Sequence, residues 1–234
     1  LVLFEGLGTE WSHDRSLLAE TPDNRRACDH WNALRDRLLA AGFVQTSLTN
    51  FERADVHASD RAFRYEPSAY APERHDLLGF GPSAISLQFG ADRALKTLNP
   101  DGSREYIAAV RSASPRERAF EYAPRDVRVL YLTRKVVTLR IDRGAYRALF
   151  ASDPVDDFAA EFEALRVDRL IHVTPTEVTL TPRGMFYADT VAGLFAWRRV
   201  HEGRAREALT LRRLPRPRAT KLYDANNSDF NVMG

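Results

Sequence analysis

The stretch that decides the fold is Asp76-Leu77-Leu78-Gly79-Phe80-Gly81-Pro82-Ser83-Ala84-Ile85-Ser86. It is an apolar run broken by two glycines, a proline and small residues. Glycine lets a main chain approach a ligand more closely than a Cβ atom would permit. Pro82 fixes φ and lacks an N–H, so the stretch is not an ordinary central strand along its whole length. Two interpretations follow: a bulged core strand, or backbone shaped for a bound ligand.

The composition is that of a folded protein with a substantial core. The chain has 234 residues, of which 44% are hydrophobic and 28% charged, so we expect one large or two modest domains. The 34 basic and 32 acidic residues nearly balance, at a net charge of +2. A nucleic-acid interface would therefore need a local basic cluster, and the sequence has one only near the C-terminus.

Neither the cysteine content nor the motifs assign a reaction. Cys28 is the only cysteine, which excludes an intrachain disulfide and any all-cysteine metal site made by this chain alone. We expect Cys28 to be a small buried hydrophobe. The six histidines include no pair at zinc-protease spacing, and the sequence has neither a P-loop nor a nucleophile elbow. Catalytic residues therefore stay unassigned, and no metal ligand is predicted.

The first part of the chain predicts a strand, a helix and a second strand. Leu1 to Phe4 reads as a strand at the very first residue, so we expect the chain to begin inside a larger fold. Thr21 and Pro22 predict a helix start, and Gly42 predicts its end. The apolar face of this helix consists of Ala27, Trp31, Leu34, Leu38 and Leu39. Phe43 to Phe51 predicts the second strand, which would give a right-handed parallel βαβ unit.

A long polar loop follows Asn50-Phe51-Glu52-Arg53 and runs to about His75. It carries Arg53 and Arg64 among several arginines and tyrosines, which are groups that can hold a carboxylate. A solvated loop is the alternative explanation for the same charge mixture. Its length favours a loop that binds something or covers a site.

The sequence after the glycine stretch predicts regular structure in three places. Ala94 to Leu98 predicts a short strand, and Asn99-Pro100-Asp101-Gly102 predicts a turn that leads to a helix at Ser103 to Val110. Tyr106, Ile107 and Val110 are expected to be structural. Pro115 to Pro124 marks a boundary.

From Arg125 onward the pattern predicts a small helical module. Val127 to Leu139 fits both a strand and a helix, and we interpret it as a helix. Asp142 is expected to cap a helix that runs to Phe150, and Asp153-Pro154 to begin the next. Leu170 to Val173 and Glu177 to Leu180 predict a hairpin, and Thr181-Pro182 begins a helix to about Val200. This order resembles a winged helix, although acidic side chains on the preceding helix argue against nucleic-acid binding. His201 to Arg218 is rich in arginine, and a polar tail follows.

Three segments resemble successive landmarks of the oxygen-independent coproporphyrinogen III oxidase family of radical S-adenosylmethionine proteins. They are Gly42-Phe43-Val44-Gln45 through Asn50-Phe51-Glu52-Arg53, then the glycine stretch, then Leu180-Thr181-Pro182-Arg183-Gly184. Their order and separation match the family, and the resemblance extends from Leu1 to about Trp197. It implies an α/β fold in which the C-terminal part of a partial (β/α) barrel, residues 1–114, precedes a mainly helical domain, residues 115–200. Residues 201–234 would form a basic, loosely ordered tail.

The resemblance also implies cofactors and contacts. Members of the family use a four-iron cluster and S-adenosylmethionine to generate a 5′-deoxyadenosyl radical, and the oxidase decarboxylates two propionates of coproporphyrinogen III. By similarity, Ile85 corresponds to a nucleoside contact, with Leu7 as a second. The backbone of Gly79, Gly81, Ser83 and Ala84 would lie against the same cofactor. Arg53 and Arg64 are the expected substrate contacts.

The chain departs from the family at its cluster. The family binds iron through three closely spaced cysteines, whereas this chain has Cys28 alone. The sequence thus resembles the C-terminal portion of such an enzyme, whose reaction would be oxidative decarboxylation of a porphyrinogen or a related radical reaction such as methyl transfer. A missing N-terminal half would then be its partner. The rival hypothesis is a non-catalytic remnant or module that binds a tetrapyrrole or a protein. The sequence shows neither a signal peptide nor a membrane span, and we expect a cytoplasmic protein.

Overall fold

The computed structural model describes residues 23–112, 118–197 and 201. Within them the chain mixes helices with antiparallel strands, in agreement with the α/β prediction. Its elements, in chain order, are α1 (Asn24–Ala40), β1 (Phe43–Gln45), β2 (Phe51–Arg53), α2 (Ala54–His57), α3 (Tyr65–Ala69), β3 (Ile85–Phe89), β4 (Ala94–Leu98), α4 (Ser103–Arg111), β5 (Arg118–Tyr122), α5 (Pro124–Val137), β6 (Arg140–Asp142), α6 (Arg143–Phe150), α7 (Pro154–Asp157), α8 (Ala159–Val167), β7 (Ile171–Val173), β8 (Glu177–Leu180) and α9 (Pro182–Phe186). Residues 188–197 are again helical.

Helix α1 begins at Asn24, two residues later than the sequence predicts. Its N-cap is Asp23, whose carboxylate accepts a hydrogen bond from the backbone N–H of Arg26 at 2.8 Å. The predicted cap, Thr21 with Pro22, lies outside the described residues. The predicted stop is confirmed, because Gly42 follows the helix with φ of +83°. Cys28 is buried as expected, although Leu34 and Leu39 of the predicted apolar face are exposed.

The predicted strand from Phe43 to Phe51 is wrong, because the segment folds back on itself. Strands β1 and β2 pair antiparallel, with Phe43 opposite Arg53 and Gln45 opposite Phe51. The polar residues between them form the turn, in which the N–H of Thr46 donates to the carbonyl of Asn50 at 2.9 Å. The predicted parallel βαβ unit needs Leu1 to Phe4, which lie outside the described residues, so it stays a prediction.

A second sheet has the order β3-β4-β5, with all pairs antiparallel. The predicted strand Ala94–Leu98 and the helix after the Asn99–Gly102 turn are both confirmed. The expectation that Ile107 and Val110 pack into a core is wrong, because each is about half exposed. Both residues are apolar and lie on α4, and the described structure leaves them open to solvent.

The module from Pro124 to residue 197 follows its sequence signals closely. Helix α5 resolves the ambiguity at Val127 in favour of a helix with Pro124 in its first turn. The carboxylate of Asp142 accepts from the N–H of Ala145 at 2.9 Å and caps α6. The predicted helix after Asp153 is interrupted at Phe158, which separates α7 from α8. The hairpin is confirmed as β7 and β8, and β6 completes a sheet of order β6-β8-β7. The winged-helix interpretation stays a prediction.

One contiguous hydrophobic core joins this module to the second sheet. Most of its buried residues lie between Val127 and Ala196, and the sheet contributes Leu87 and Ala94. Tyr131, Tyr146 and Phe150 form a cluster of ring contacts within it, with centroids 4.6 to 5.7 Å apart. The β3 edge of the sheet is therefore held against a rigid helical support. The domain boundaries stay predictions.

Candidate functional site

The glycine stretch forms an irregular loop that leads directly into β3. Before the loop, Leu77 exchanges two backbone hydrogen bonds with Leu87, both of 2.9 Å. Gly81 has φ of +103° and Ser83 has φ of +57°, and both values lie in the left-handed region that favours glycine. The chain therefore turns sharply twice in the five residues before Ile85.

Asn99 fixes the shape of this loop from the far end of β4. Its Nδ2 donates to the carbonyls of Gly81 at 2.9 Å and Gly79 at 3.3 Å, and its N–H donates to the carbonyl of Ala84 at 2.9 Å. Because Asn99 is buried, these bonds are shielded from water and hold the loop firmly. The sequence indicated only a turn at Asn99, and its hydrogen-bonding role depends on the pairing of β3 with β4.

The glycine at position 79 is required by the chain's own packing. A methyl group there would overlap the carbonyl of Ile85 and lie 2.7 Å from the Ile85 nitrogen. At Gly81 an added Cβ atom would meet nothing within 4 Å. Gly79 thus serves the close contact of two backbone segments, whereas the backbone of Gly81 faces open space. The interpretation of the stretch as backbone shaped for a ligand stays a prediction.

The loop presents apolar side chains to solvent. Phe80 is 84% exposed and Leu78 is 67% exposed. Exposed aromatic side chains beside an open backbone are typical of surfaces that contact a ligand or a partner. The side chain of Ser83 already has a hydrogen-bond partner in the chain, since its Oγ donates to the carboxylate of Asp101 at 3.1 Å.

Ile85 begins the core-facing side of the second sheet. In an antiparallel sheet, residues in register point to the same face, so Ile85 and Leu98 share a face with Leu87 and Lys96. Ser86 and Gln88 point to the opposite face. Ile85 is partly buried, so an apolar contact from the loop side can reach it.

Lys96 lies at the centre of this face and was missed by the sequence reasoning. It is 2% exposed, between Leu87 on β3 and Phe120 on β5. Burial, with a smaller contribution from Arg134, lowers the pKa of Lys96 to about 8. The available signal was a lysine on the apolar side of Ala94-Leu95-Lys96-Thr97-Leu98, because that side also carries Ala94 and Leu98.

Arg53 and Arg64 lie on the surface near Glu52. Arg53 binds Asp55 through two nitrogens, at 3.0 and 3.1 Å, and its side chain is 65% exposed. Glu52 accepts from the N–H of Phe63 at 2.8 Å and contacts His57 Nδ1 at 2.9 Å; these bonds lower the pKa of its carboxyl. Within the described chain, no hydrogen bond or ion pair joins either arginine to the glycine loop. Their role in substrate binding stays a prediction, and Leu7 lies outside the described residues.

A cavity of about 390 Å³ lies between the segment that follows α3 and helix α5. Its walls include Tyr70, Arg74, Tyr131 and Arg140, together with an ion pair between Lys135 and Glu73 at 2.6 Å. Its volume is within the range of small-molecule sites.

The residues of this chain do not fit a four-iron cluster. The whole sequence has one cysteine, which is buried on α1, and burial raises its pKa, with Asp29 adding to the effect. A cluster of this kind needs several thiolate ligands. Among the described residues no group of three or more His, Cys, Asp or Glu side chains converges to hold a metal ion.

In the part of the chain that the structure covers, no helix has both the length and the apolar character that crossing a bilayer requires. No protein-family model matches the chain, and no curated protein matches it.

Among solved structures, the fold is similar to that of coproporphyrinogen III oxidase (HemN) from Escherichia coli, which is described as a radical SAM enzyme. The TM-score is 0.54 at 18% sequence identity, and the match covers 76% of this chain. It covers 42% of the oxidase chain, so this chain spans less than half the length of its structural neighbour. The described chain therefore has a fold similar to part of a radical SAM enzyme.

Proposed function

We propose that this chain is the C-terminal portion of a coproporphyrinogen-oxidase-like radical S-adenosylmethionine enzyme, and that it contributes a nucleoside-binding strand and its helical support. The observation that carries the proposal is the loop from Gly79 to Ala84, which Asn99 holds in front of Ile85. The structural similarity to the oxidase supports the same assignment.

In this proposal the loop binds the adenosyl group through shape and apolar contact. The open backbone at Gly81 lets the purine approach the main chain, and the exposed ring of Phe80 offers a stacking surface. Ile85 supplies the apolar floor. Because Asn99 already fixes the loop, little conformational entropy is lost when the ligand binds.

The iron–sulfur ligands must come from outside this sequence, since Cys28 alone cannot supply them. S-adenosylmethionine would serve as the radical source only in that larger assembly. The substrate is proposed to be a porphyrinogen or a related tetrapyrrole, with Arg53 and Arg64 as contacts for its carboxylates.

Reconstitution of the purified chain with iron and sulfide under anaerobic conditions tests the missing ligands. We expect iron analysis and absorption spectra to show no stable four-iron cluster on this chain. A stable cluster that cleaves S-adenosylmethionine reductively would contradict the proposal.

Binding of adenosyl ligands tests the loop directly. Calorimetric titration with S-adenosylhomocysteine is expected to show about tenfold weaker binding for Ile85→Lys than for the unchanged chain, because a charge would replace an apolar contact. The matched control is Gln88→Lys, which places the same side chain on the opposite face of β3. Equal affinities for the two variants would refute the assigned contact. Absence of binding, together with tetrapyrrole binding, would favour the non-catalytic module.

A further inference from the structure

The cavity between the segment that follows α3 and helix α5 is separate from the proposed adenosyl site. Its volume is about 390 Å³, and its described walls include no residue of the glycine loop. The walls come from distant parts of the chain, from Thr46 in the turn between β1 and β2 to Ala145 on α6. A cavity of this size that several elements enclose is a candidate site for a second ligand.

The two acids in the cavity wall already have partners within the chain. Glu73 Oε1 accepts a hydrogen bond from Lys135 Nζ at 2.6 Å, and both side chains are largely buried. Asp142 Oδ1 accepts from the N–H of Ala145 at 2.9 Å, at the N-terminus of α6, where the helix dipole favours a negative charge. Neither acid therefore requires a cationic ligand.

Two arginines in the same wall have only loose contacts with carboxylates. Arg74 Nε lies 4.0 Å from Glu73 Oε1, and Arg140 Nη1 lies 3.4 Å from Glu177 Oε2. Their side chains are 77% and 61% exposed. A guanidinium has five N–H donors, so most of the donors of Arg74 and Arg140 are available to a ligand at the cavity.

Other exposed arginines of the chain are held more firmly. Arg53 binds Asp55 through two nitrogens at 3.0 and 3.1 Å, and Arg166 binds Glu163 through two nitrogens at 2.8 and 2.9 Å. Two-nitrogen hydrogen bonding of this kind is the strong form of an arginine–carboxylate contact. The cavity thus brings together two arginines whose capacity for such a contact is unused.

We propose that the cavity binds a small organic anion, whose carboxylate or phosphate group contacts Arg74 and Arg140. The planar guanidinium presents paired donors that match two oxygens of either group. The apolar part of the ligand lies against Pro67, Tyr70 and Ala71 in the same wall. The site goes beyond the adenosyl site proposed above, because it uses different residues and a different ligand chemistry, so each proposal can fail alone.

Three probes that share a phenyl ring test the site on the full chain. Benzoate carries a carboxylate, phenyl phosphate carries a phosphate, and benzamide is the neutral control of similar shape. Ligand-observed nuclear magnetic resonance at constant ionic strength gives the affinity of each. We expect saturable binding of benzoate or of phenyl phosphate, and the tighter of the two identifies the anionic group that the cavity takes. Benzamide is expected to bind about tenfold more weakly than that probe, because it lacks the charge.

Substitution of the two arginines tests the ionic contact. Arg74→Gln and Arg140→Gln are each expected to weaken binding of the tighter anion by about tenfold. Both side chains are exposed, so both variants are expected to fold, which circular dichroism checks. Arg166→Gln is the matched control, because Arg166 is 62% exposed and pairs with Glu163 outside the cavity. Its affinity for the probe is expected to equal that of the unchanged chain.

Two further variants separate the cavity from a general attraction of anions to arginines. Ala145→Phe fills part of the cavity without changing a charge, and it is expected to weaken binding by at least about tenfold. Glu177→Gln removes the acid nearest to Arg140. It is expected to tighten anion binding by about twofold, since an exposed ion pair competes only weakly for its arginine. A purely structural role of Arg140 would not produce this gain.

Four results would overturn the site. They are no saturable binding of either anion, benzamide binding as tight as that of the anions, an unchanged affinity in either arginine variant, and an equal loss of affinity in Arg166→Gln. Unchanged binding in Ala145→Phe would place the anion outside the cavity and would also contradict the proposal.

Discussion

Two regions of the molecule differ in where they place apolar and charged side chains. One is the second sheet with its glycine loop, and the other is the helical module that supports it. In the module, from Val127 to Ala196, large side chains are buried against one another and partly buried cations meet acids. In the sheet region, Phe80 and Leu78 are exposed while Lys96 is buried. Because exposed aromatics and buried cations each cost stability, they are typical of regions that bind other molecules. Under the proposed function, the module supplies stability and the sheet region supplies binding.

Two phenylalanines give the largest expected contrast between these regions. Phe162 is 2% exposed on α8 and contacts the ring of Phe195, with centroids 5.1 Å apart. We expect Phe162→Ala to lower the free energy of unfolding by about 3–5 kcal/mol, through lost burial and the cavity left behind. Phe80→Ala in the glycine loop is expected to change it by less than about 0.5 kcal/mol.

Chemical denaturation followed by circular dichroism measures both variants. A cost for Phe80→Ala close to that of Phe162→Ala would mean that the loop ring belongs to the core, and would remove the contrast.

The next largest effect is expected from Lys96, which makes the free energy of unfolding depend on pH. Its pKa is about 8 in the folded protein, below the ordinary 10.5, so between these values the unfolded chain binds more protons. The free energy of unfolding therefore rises with pH through this window, by on the order of 3 kcal/mol from Lys96 alone. Below about pH 8 the cost of the buried charge is fully present.

Lys96→Met should remove this dependence. Denaturation curves of the two proteins at a series of pH values isolate the contribution of Lys96, because other titrating groups are common to both. Parallel stability profiles from about pH 7 to about pH 10 would mean that Lys96 keeps an ordinary pKa.

Alanine at Gly79 tests whether the loop is fixed by its own backbone contacts, and alanine at Gly193, outside the loop, is the control. Gly79→Ala is expected to cost roughly 1–3 kcal/mol, because a methyl group would overlap the carbonyl of Ile85. Gly193→Ala in the last described helix meets nothing within 4 Å. That variant is expected to gain about 0.5–1 kcal/mol from helix propensity. A neutral Gly79→Ala would show that the loop relaxes easily, contrary to the rigid shape assigned to it.

Local signals in the sequence predicted much of the fold. Asp142 and Asp153 cap helices as expected, since capping is decided by a few neighbouring residues. The strand Ala94–Leu98 and the hairpin at Glu177–Leu180 were likewise readable from alternation and turns. The segment Phe43 to Phe51 was not, because its turn depends on a distant contact, in which the N–H of Leu48 donates to the carbonyl of Val137 at 3.0 Å.

The candidate site was predicted less completely than the fold. The glycine pattern indicated close backbone approach, and the structure shows it at Gly79, whereas nothing lies within 4 Å of a Cβ atom added at Gly81. Asn99 and Lys96 were missed because their environments arise only when β4 pairs with β3 and β5. A buried charge depends on tertiary packing, which no local pattern reports.

Hydrogen–deuterium exchange of the full chain, with and without saturating S-adenosylhomocysteine, tests the central claim most directly. We predict that the ligand slows exchange at residues 77–87 and leaves exchange in the hairpin of β7 and β8 unchanged. Unchanged exchange at residues 77–87, or protection confined to the helical module, would contradict the assignment of the glycine loop as the nucleoside site.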